Sequence, residues 1–299
     1  MNNLPNFLIV GASKSGTSSL YQYLRQHPDI FLSEIQKEGR YFSQMKGNYK
    51  GPGDSGIDDT INYTLEDYKR LFASLSGEKA IGDISPEMLY FHEKSIPRIK
   101  ADLGNNVKII IILRSPIERA FSAYLHFKRD KREHLSFEEG LKMEKERMEK
   151  DWIWAWQYKN SGLYFEQVKA YVANFKQVKV VLFDDFQRNS NLVLADICNF
   201  LGVESDFTFD TSYKYNVSGN PKSELMYKLE TSRKSISFVK RFVPRSVVKF
   251  VRNKFTGEHQ MIKPKMDANT RIELIEFFKS DILKLQELIQ MDLSRWLAK

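Results

Sequence analysis

Short apolar runs alternate along this chain with longer stretches of helical periodicity. The runs at residues 7–10 (FLIV), 107–113 (VKIIIIL) and 178–183 (VKVVLF) are continuous and rich in β-branched residues. Such runs are typical of parallel strands that helices cover on both faces, and residues 79–85 (KAIGDIS) predict a fourth strand. Helical patterns fill the intervals, at 16–26, 66–75, 116–129, 136–149, 161–175 and 190–201. The alternation predicts an α/β fold with one central parallel sheet flanked by helices.

The chain is expected to form a single domain over residues 1–299, since each long helix follows a predicted strand. Residues 44–62 are rich in glycine and poor in apolar residues, which predicts a surface loop. Residues 267–299 predict a C-terminal helix. Residues 231–266 are basic, and in 231–256 the cations alternate with Phe and Val. Three interpretations of 231–256 stay open: a helical pair packed on the core, a groove for an acidic glycan, or contact with a membrane surface.

Charge and apolar length limit the class of protein. The net charge of +8 at pH 7 favours anionic ligands such as nucleotides, acidic glycans or lipid headgroups, without choosing among them. No apolar stretch approaches the roughly 20 residues of a membrane span, and the run at 7–10 is far shorter than a signal-peptide core. We therefore expect a cytoplasmic protein without a membrane span; its oligomeric state stays open.

The first strand runs into a loop suited to binding a phosphate. The sequence GASKSGTS starts at Gly11 and is followed by a helical pattern. Backbone N–H groups at a helix start form an anion site with the positive end of the helix dipole. The candidate ligand-binding residues share this loop and helix start: Ser13, Lys14, Ser15, Gly16, Thr17 and Ser18.

This loop differs from the ATP-binding pattern G-x-x-x-x-G-K-[ST], because its lysine precedes the second glycine. Asp184 and Asp185 follow a predicted strand and could serve as the acidic partner of such a loop. A P-loop kinase or NTPase therefore stays open at this point. So does a plain strand–turn–helix whose small residues serve packing.

A second candidate anion site follows the strand at 107–113. Arg114 stands at the strand's carboxyl end, where open α/β sheets bind ligands, and Pro116 suits a first helical turn. Arg119 and Ser122 are three residues apart and can share a helix face. Arg114 and Ser122 could clamp one further phosphate. Alternatively, Arg114 pairs with Glu118 and has a structural role.

Taken together, the two motifs resemble those of the PAPS-dependent sulfotransferases, in the carbohydrate and heparan sulfate branch. GASKSGTSSL resembles their 5′-phosphosulfate loop, and RSPIERAFSAY resembles their 3′-phosphate motif R-x-P-x-x-R-x-x-S-x-Y. QKEGRYFS (36–43), GDISPEMLY (82–90) and YNVSGNPKS (215–223) also resemble family segments. The similarity runs from residue 6 to about residue 225 and is that of a bacterial-type, soluble member.

The resemblance implies a P-loop-like nucleotide-binding fold and transfer of a sulfuryl group from PAPS, with PAP as the product. Lys14 would stabilise the leaving phosphate, and Glu38 would be the general base for a hydroxyl, or less readily an amine, of a carbohydrate, glycolipid or small acceptor. By the residues alone, the favoured interpretation of Glu38 is a surface carboxylate paired with Lys37 or Arg40. Ser218 and Lys222 would close over the donor. Lys37 and Arg40 would bind anionic groups of the donor or the acceptor. Residues 231–266 would form a mobile segment on the acceptor side.

The resemblance implies neither a metal nor a nucleic acid partner. The alternatives from other classes are the P-loop kinase or NTPase and a non-enzymatic binder of anionic polymers through 231–256.

Two positions depart from the family pattern. Gly39 stands where a proline is usual after Lys37 and Glu38, a change expected only to loosen a turn. Asp83 and Ile84 replace the Glu and basic residue that related enzymes often carry, so a second helper lysine from that strand is not expected.

Overall fold

A computed structural model describes residues 4–212, 220–221, 261–262 and 264–298 of the chain. Its main sheet has five parallel strands: β1 (Phe7–Gly11), β2 (Ile30–Leu32), β3 (Ala80–Ile84), β4 (Lys108–Leu113) and β5 (Val178–Leu182). Their order is β2-β3-β1-β4-β5, so that β1 lies in the centre between β3 and β4. The predicted α/β fold with one central parallel sheet is confirmed. The carboxyl ends of β1, β3 and β4 adjoin one another.

Helices connect and cover these strands. In chain order they are α1 (Thr17–Leu24), α2 (Ser55–Asp58), α3 (Leu65–Lys69), α4 (Glu87–Tyr90), α5 (His92–Leu103), α6 (Pro116–Arg129), α7 (Phe137–Lys142), α8 (Glu144–Glu149), α9 (Tyr164–Asn174), α10 (Phe183–Arg188), α11 (Ser190–Leu201) and α12 (Ala268–Ile289). Single 3₁₀ turns occur at Arg70–Phe72, Trp154–Trp156, Asn160–Gly162 and Ser294–Leu297. Residues Asn220–Pro221 and Met261–Ile262 form a short antiparallel pair, β6 and β7.

The core has two layers, one on each face of the sheet. Successive residues of a strand point to opposite faces, and Leu8 and Ile109 accordingly pack in one apolar cluster while Ile9 and Ile110 pack in the other. All four are fully buried. This alternation explains why the strands read as continuous apolar runs, since neither face meets water.

The bounds of several predicted elements differ from the structure. Residues 136–149 form two helices, α7 and α8, instead of one, and 66–75 form α3 followed by a 3₁₀ turn. The C-terminal helix ends at Ile289, before the turn at Ser294–Leu297, instead of continuing to 299. β2 and α5 were not predicted.

The predicted surface loop at 44–62 is partly internal. Met45, Tyr49 and Ile61 are buried in the core. Asp54 is fully buried, and its carboxylate accepts hydrogen bonds from Ile153 N (2.9 Å) and Trp156 Nε1 (3.1 Å). The expectation of a plain surface loop was therefore wrong, because a glycine-rich segment can still carry anchoring residues.

Among the residues that the structure describes, no helix is long and apolar enough to cross a membrane. The basic segment 231–256 lies outside the described residues.

Candidate active site

The loop between β1 and α1 takes the shape that an anion site needs. Lys14 has a left-handed backbone (φ 65°) and Gly16 has φ 92°, a conformation that glycine adopts without strain. A Cβ on Gly16 would lie 2.7 Å from the Phe183 ring, so the loop passes too close to α10 for a side chain there. The tight turn leads directly into α1, whose first N–H groups have no partner within the helix and can bind an anion.

The end of β4 lies against this loop. Arg114 Nη1 donates a hydrogen bond to the carbonyl of Lys14 at 3.2 Å, and its guanidinium lies 5.1 Å from the centre of the Phe183 ring. Arg114 Nη2 is also 3.9 Å from Glu118, the contact expected for a structural role. That distance is long for an ion pair, and the guanidinium still lines the cavity described next.

Both loops open into one cavity of about 430 Å³ at the carboxyl edge of the sheet, a volume within the usual range for small-molecule sites. Its lining contains ten of the residues singled out from the sequence: Ser13, Lys14, Gly16, Thr17, Ser18, Lys37, Glu38, Arg40, Arg114 and Ser122. They come from three stretches of chain separated by up to a hundred residues. The fold therefore brings the two predicted anion sites and the predicted base together.

Arg119 adds a deeply buried cation to the cavity wall. It is 2% exposed and donates through Nη2 to the carbonyl of Tyr158. Its Nε has no hydrogen-bond partner within the described part of the chain. A buried donor without a hydrogen-bond partner costs stability. An anion in the cavity would supply the negative countercharge and the acceptor that this guanidinium lacks. The lining thus fits a ligand with several negative charges.

Glu38 is held beside the phosphate-binding loop by its neighbours. Lys37 Nζ lies 3.1 Å from Ser18 Oγ and 3.3 Å from Glu38 Oε1, while Arg40 Nη2 binds Glu38 Oε2. The segment itself rests on the end of β3, where Gly39 N donates to Asp83 Oδ1 (3.1 Å). The Glu38 side chain is 23% exposed and lines the cavity, so it can reach a ligand.

Electrostatics keep Glu38 ionised and Lys14 only partly charged. Burial alone would raise the pKa of Glu38, but the charges of Lys37 and Arg40 outweigh it and hold that pKa below the usual value. Burial, assisted by Arg129 and Arg114, lowers the pKa of Lys14 to about 7. The pair therefore presents an anionic proton acceptor and a cation whose charge an incoming anion would favour.

Three predicted ligand residues do not join this group. The Ser15 side chain is fully buried and does not line the cavity, so its place among the ligand-binding residues stays a prediction. Ser218 and Lys222 lie outside the described residues.

The acidic pair proposed for an ATP site is used elsewhere. β5 ends at Leu182, one residue before its predicted end, and Asp184 and Asp185 stand in the first turn of α10. Arg295 Nε binds Asp184 at 3.1 Å, and Trp296 Nε1 donates to the same carboxylate at 3.2 Å. Neither aspartate lines the cavity. The pair fastens the 3₁₀ turn at Ser294–Leu297 to α10.

The residues of the cavity wall that sequence reasoning missed include Glu87, His126 and Trp154. His126 follows Ser122 by four residues on α6, so helix periodicity could have found it. Burial and Lys14 lower its pKa to about 3, and its Nδ1 contacts Arg129 Nη2 at 2.7 Å. Glu87 follows the SP dipeptide after β3 and had no such signal.

The tryptophan cluster at 152–156 has a mixed role. Trp156 is fully buried and stacks on Phe127 with ring centres 3.9 Å apart, so it belongs to the core. Trp154 stacks on Tyr90 (5.5 Å) and faces the cavity.

Comparison with known proteins gives concordant matches. The family profile described as "Sulfotransferase domain" matches residues 4–282. The crystal structure of a sulfotransferase from Alicyclobacillus acidocaldarius is 36% identical, with a TM-score of 0.79 over 99% of each chain. The predicted P-loop-like fold is thereby confirmed.

Curated relatives match a shorter part of the chain. The membrane-associated sulfotransferase kil1 of Dictyostelium discoideum is 34% identical over 124 residues, and human carbohydrate sulfotransferase 15 is 31% identical over 157. Each match covers 42% of this chain, and 23% and 27% of the respective relative. The chain thus spans less than a third of the length of these relatives.

Proposed function

The chain belongs to the sulfotransferase domain family, and from this premise we propose that it moves a sulfuryl group from PAPS to a hydroxyl group of a carbohydrate or other small acceptor. One observation carries the proposal. Two anion-binding loops on the neighbouring strands β1 and β4 share a single cavity with an ionised carboxylate, Glu38. A donor with phosphates at two positions needs that arrangement.

The donor would lie along the carboxyl edge of the sheet. Its 5′-phosphosulfate would meet the loop at 11–18, and its 3′-phosphate would meet Arg114 and Ser122. The contact from Arg114 to the Lys14 carbonyl supports this placement, since it fixes the distance between the two loops. Ser218 and Lys222 are proposed to close over the donor, a role that rests on the sequence alone.

The transfer itself would be an in-line displacement at sulfur. The acceptor oxygen forms a bond to sulfur while the bond from sulfur to the bridging phosphate oxygen breaks. The acceptor proton passes to Glu38, and PAP leaves with its new negative charge next to Lys14. Stabilising charge where it develops is the main contribution that such a site makes. Lys37 and Arg40 hold the Glu38 carboxylate in place.

The acceptor class is proposed from the relatives. The name of human carbohydrate sulfotransferase 15 supports a carbohydrate acceptor, and the preference for a hydroxyl over an amine rests on the sequence alone. The lack of a metal requirement and the cytoplasmic location stay predictions, and the oligomeric state stays open.

A thermal-shift experiment tests the donor. PAP at about a hundred times its dissociation constant should stabilise the fold by about 2.7 kcal/mol, visible as a rise in Tm of several degrees, in buffer containing EDTA. Stabilisation by ATP with Mg²⁺ but not by PAP would contradict the proposal and favour an NTPase. Strong, salt-sensitive binding of heparin with no response to PAP would favour a polymer-binding protein.

An activity experiment tests the roles of the residues. With labelled PAPS and a panel of glycoside acceptors, Lys14→Ala should lower kcat by about 10²- to 10³-fold while PAP still raises Tm. An equal loss of turnover and of PAP binding would contradict the assignment of Lys14 to the leaving group. A Glu38→Gln protein with full activity would contradict its role as base.

A further inference from the structure

A second carboxyl group lies in the cavity wall beside Glu38. Glu87 is the first residue of α4 and follows the end of β3 by three residues. It is 1% exposed, and it lines the same cavity as Glu38 and Arg40. Ser43 Oγ donates to Glu87 Oε1 at 3.2 Å, and Ser43 belongs to the segment that carries Glu38. Glu87 is therefore built into the site and is not a surface acid.

Charges around Glu87 decide which of the two carboxyls is ionised. Arg40 binds Glu38 directly. The groups that face Glu87 come from the Glu38 segment, β3, α3 and α9: Glu38, Arg40, Asp83, Tyr68 and Tyr171. Burial, with the negative charge of Glu38, raises the pKa of Glu87 to about 8. Near neutral pH, Glu38 is thus the anion and Glu87 keeps its proton.

A protonated carboxyl can donate a hydrogen bond that a carboxylate cannot. We propose that Glu87 binds the acceptor, its O–H donating to an oxygen adjacent to the hydroxyl that Glu38 deprotonates. This inference rests on the proposed sulfuryl transfer and narrows its substrate class. The acceptor carries a second oxygen beside the reacting hydroxyl, as a sugar diol does, instead of an isolated hydroxyl group.

The protonation of Glu87 can be tested without any acceptor. Its pKa in the folded protein lies above the ordinary value of 4.5, so its stabilising contribution is full at low pH and is lost as the pH rises through about 8. Glu87→Gln lacks this titration. The Tm of the wild type minus that of Glu87→Gln should therefore fall between about pH 5 and about pH 9. A constant difference would overturn the inference.

The acceptor contact is tested by kinetics at saturating PAPS. The probes are the p-nitrophenyl β-glycosides of glucose, galactose and N-acetylglucosamine, with p-nitrophenol as an acceptor lacking an adjacent oxygen. For the glycoside turned over fastest, the wild-type KM should rise about five- to tenfold as Glu87 loses its proton. A change of this size corresponds to the loss of one hydrogen bond. Glu87→Gln, whose amide still donates, should keep a KM independent of pH.

Two further variants sharpen this test. Glu87→Ala should show the raised KM at every pH, with a smaller change in kcat; if it does not fold, Glu87→Gln carries the test alone. Glu144→Gln is the matched control, because Glu144 is also buried with a raised pKa but does not line the cavity. It should follow the wild-type profile. A Glu87→Gln enzyme that also follows that profile would overturn the inference.

The remaining outcomes separate this inference from the proposed function. Sulfation of p-nitrophenol but of none of the glycosides would overturn the role of Glu87 and leave the sulfotransferase activity intact. A protein that PAP does not stabilise and that turns over no acceptor would overturn the proposed function, and the acceptor contact with it.

Discussion

Lys14 has an electrostatic setting that a bound anion should change. Burial, with two nearby arginines, lowers its pKa to about 7, so near pH 8 the ammonium has largely lost its proton. An anion held by the same loop favours the charged form. PAP binding at about pH 8 should therefore take up a proton.

Calorimetry in two buffers measures this uptake. The binding enthalpy of PAP should differ between HEPES and Tris, whose ionisation enthalpies differ, and the difference should shrink in Lys14→Ala. Equal enthalpies in the two buffers for the wild type would show that PAP binding takes up no proton and would contradict this account of Lys14.

Gly39 is a residue whose importance the sequence understated. A Cβ there would lie 2.5 Å from the Tyr68 ring and 2.8 Å from Asp83 Oδ2, so the position is tight and not merely a looser turn. Gly39→Ala should cost about 1–3 kcal/mol of stability, as overpacking does, and should lower kcat because Glu38 is the adjacent residue. Gly56→Ala is the control, since a Cβ there meets nothing within 4 Å. An unchanged Tm and kcat for Gly39→Ala would contradict this account.

Local motifs pointed to the proposed phosphate-binding residues, whereas no motif pointed to Glu87. Lys14 and Arg114 stand at strand ends followed by helix starts, and this local context is visible in the sequence. The role of Glu87 depends on Ser43 and Arg40, more than forty residues away, which only the folded β3 edge brings near. The burial of the Ser15 side chain could not be predicted either, because the sequence does not show which way a loop side chain turns.

At the scale of elements, a short strand and a proline explain why β2 and α5 were not predicted. β2 has three residues, too few for a periodic signal. α5 contains Pro97, which usually ends a helix, so the segment did not read as helical. The buried strands and α6, by contrast, carry long uniform patterns, and α6 begins and ends where predicted.

The β4–α6 unit should recognise the 3′-phosphate. Arg114 lies at the strand end and Ser122 two turns into α6, both facing the cavity. Arg114→Lys loses the planar fork that binds phosphate, so the affinity for PAP should fall about 10- to 100-fold. The affinity for adenosine 5′-phosphate, which lacks the 3′-phosphate, should change much less.

Titration calorimetry of both nucleotides checks that difference. Arg188→Lys on α10 serves as the control, because that side chain is 73% exposed and pairs with Asp185. Equal losses of affinity for PAP and for adenosine 5′-phosphate would show that Arg114 does not bind the 3′-phosphate.

At the scale of the whole molecule, the cavity that the donor would enter is lined by more cations than acids. The chain carries a net charge of +8, and six cations line the cavity: Lys14, Lys37, Arg40, Arg114, Arg119 and Arg132. The lining acids are Glu38, Glu87 and Glu118. The bulk charge predicted an anionic partner, and the described residues place six cations and three acids around one cavity.

The electrostatic field of these cations should steer PAP to the site. Raising the ionic strength from about 0.05 M to about 0.5 M shortens the Debye length severalfold and should slow PAP association by roughly tenfold or more. Dissociation should change less, because contacts inside the cavity are screened less than the approach from solution. Stopped-flow measurement of both rates tests this, with uncharged adenosine as a ligand whose association rate should stay constant. If the PAP association rate did not respond to salt, the cavity cations would act only after contact, as local donors and not as a long-range field.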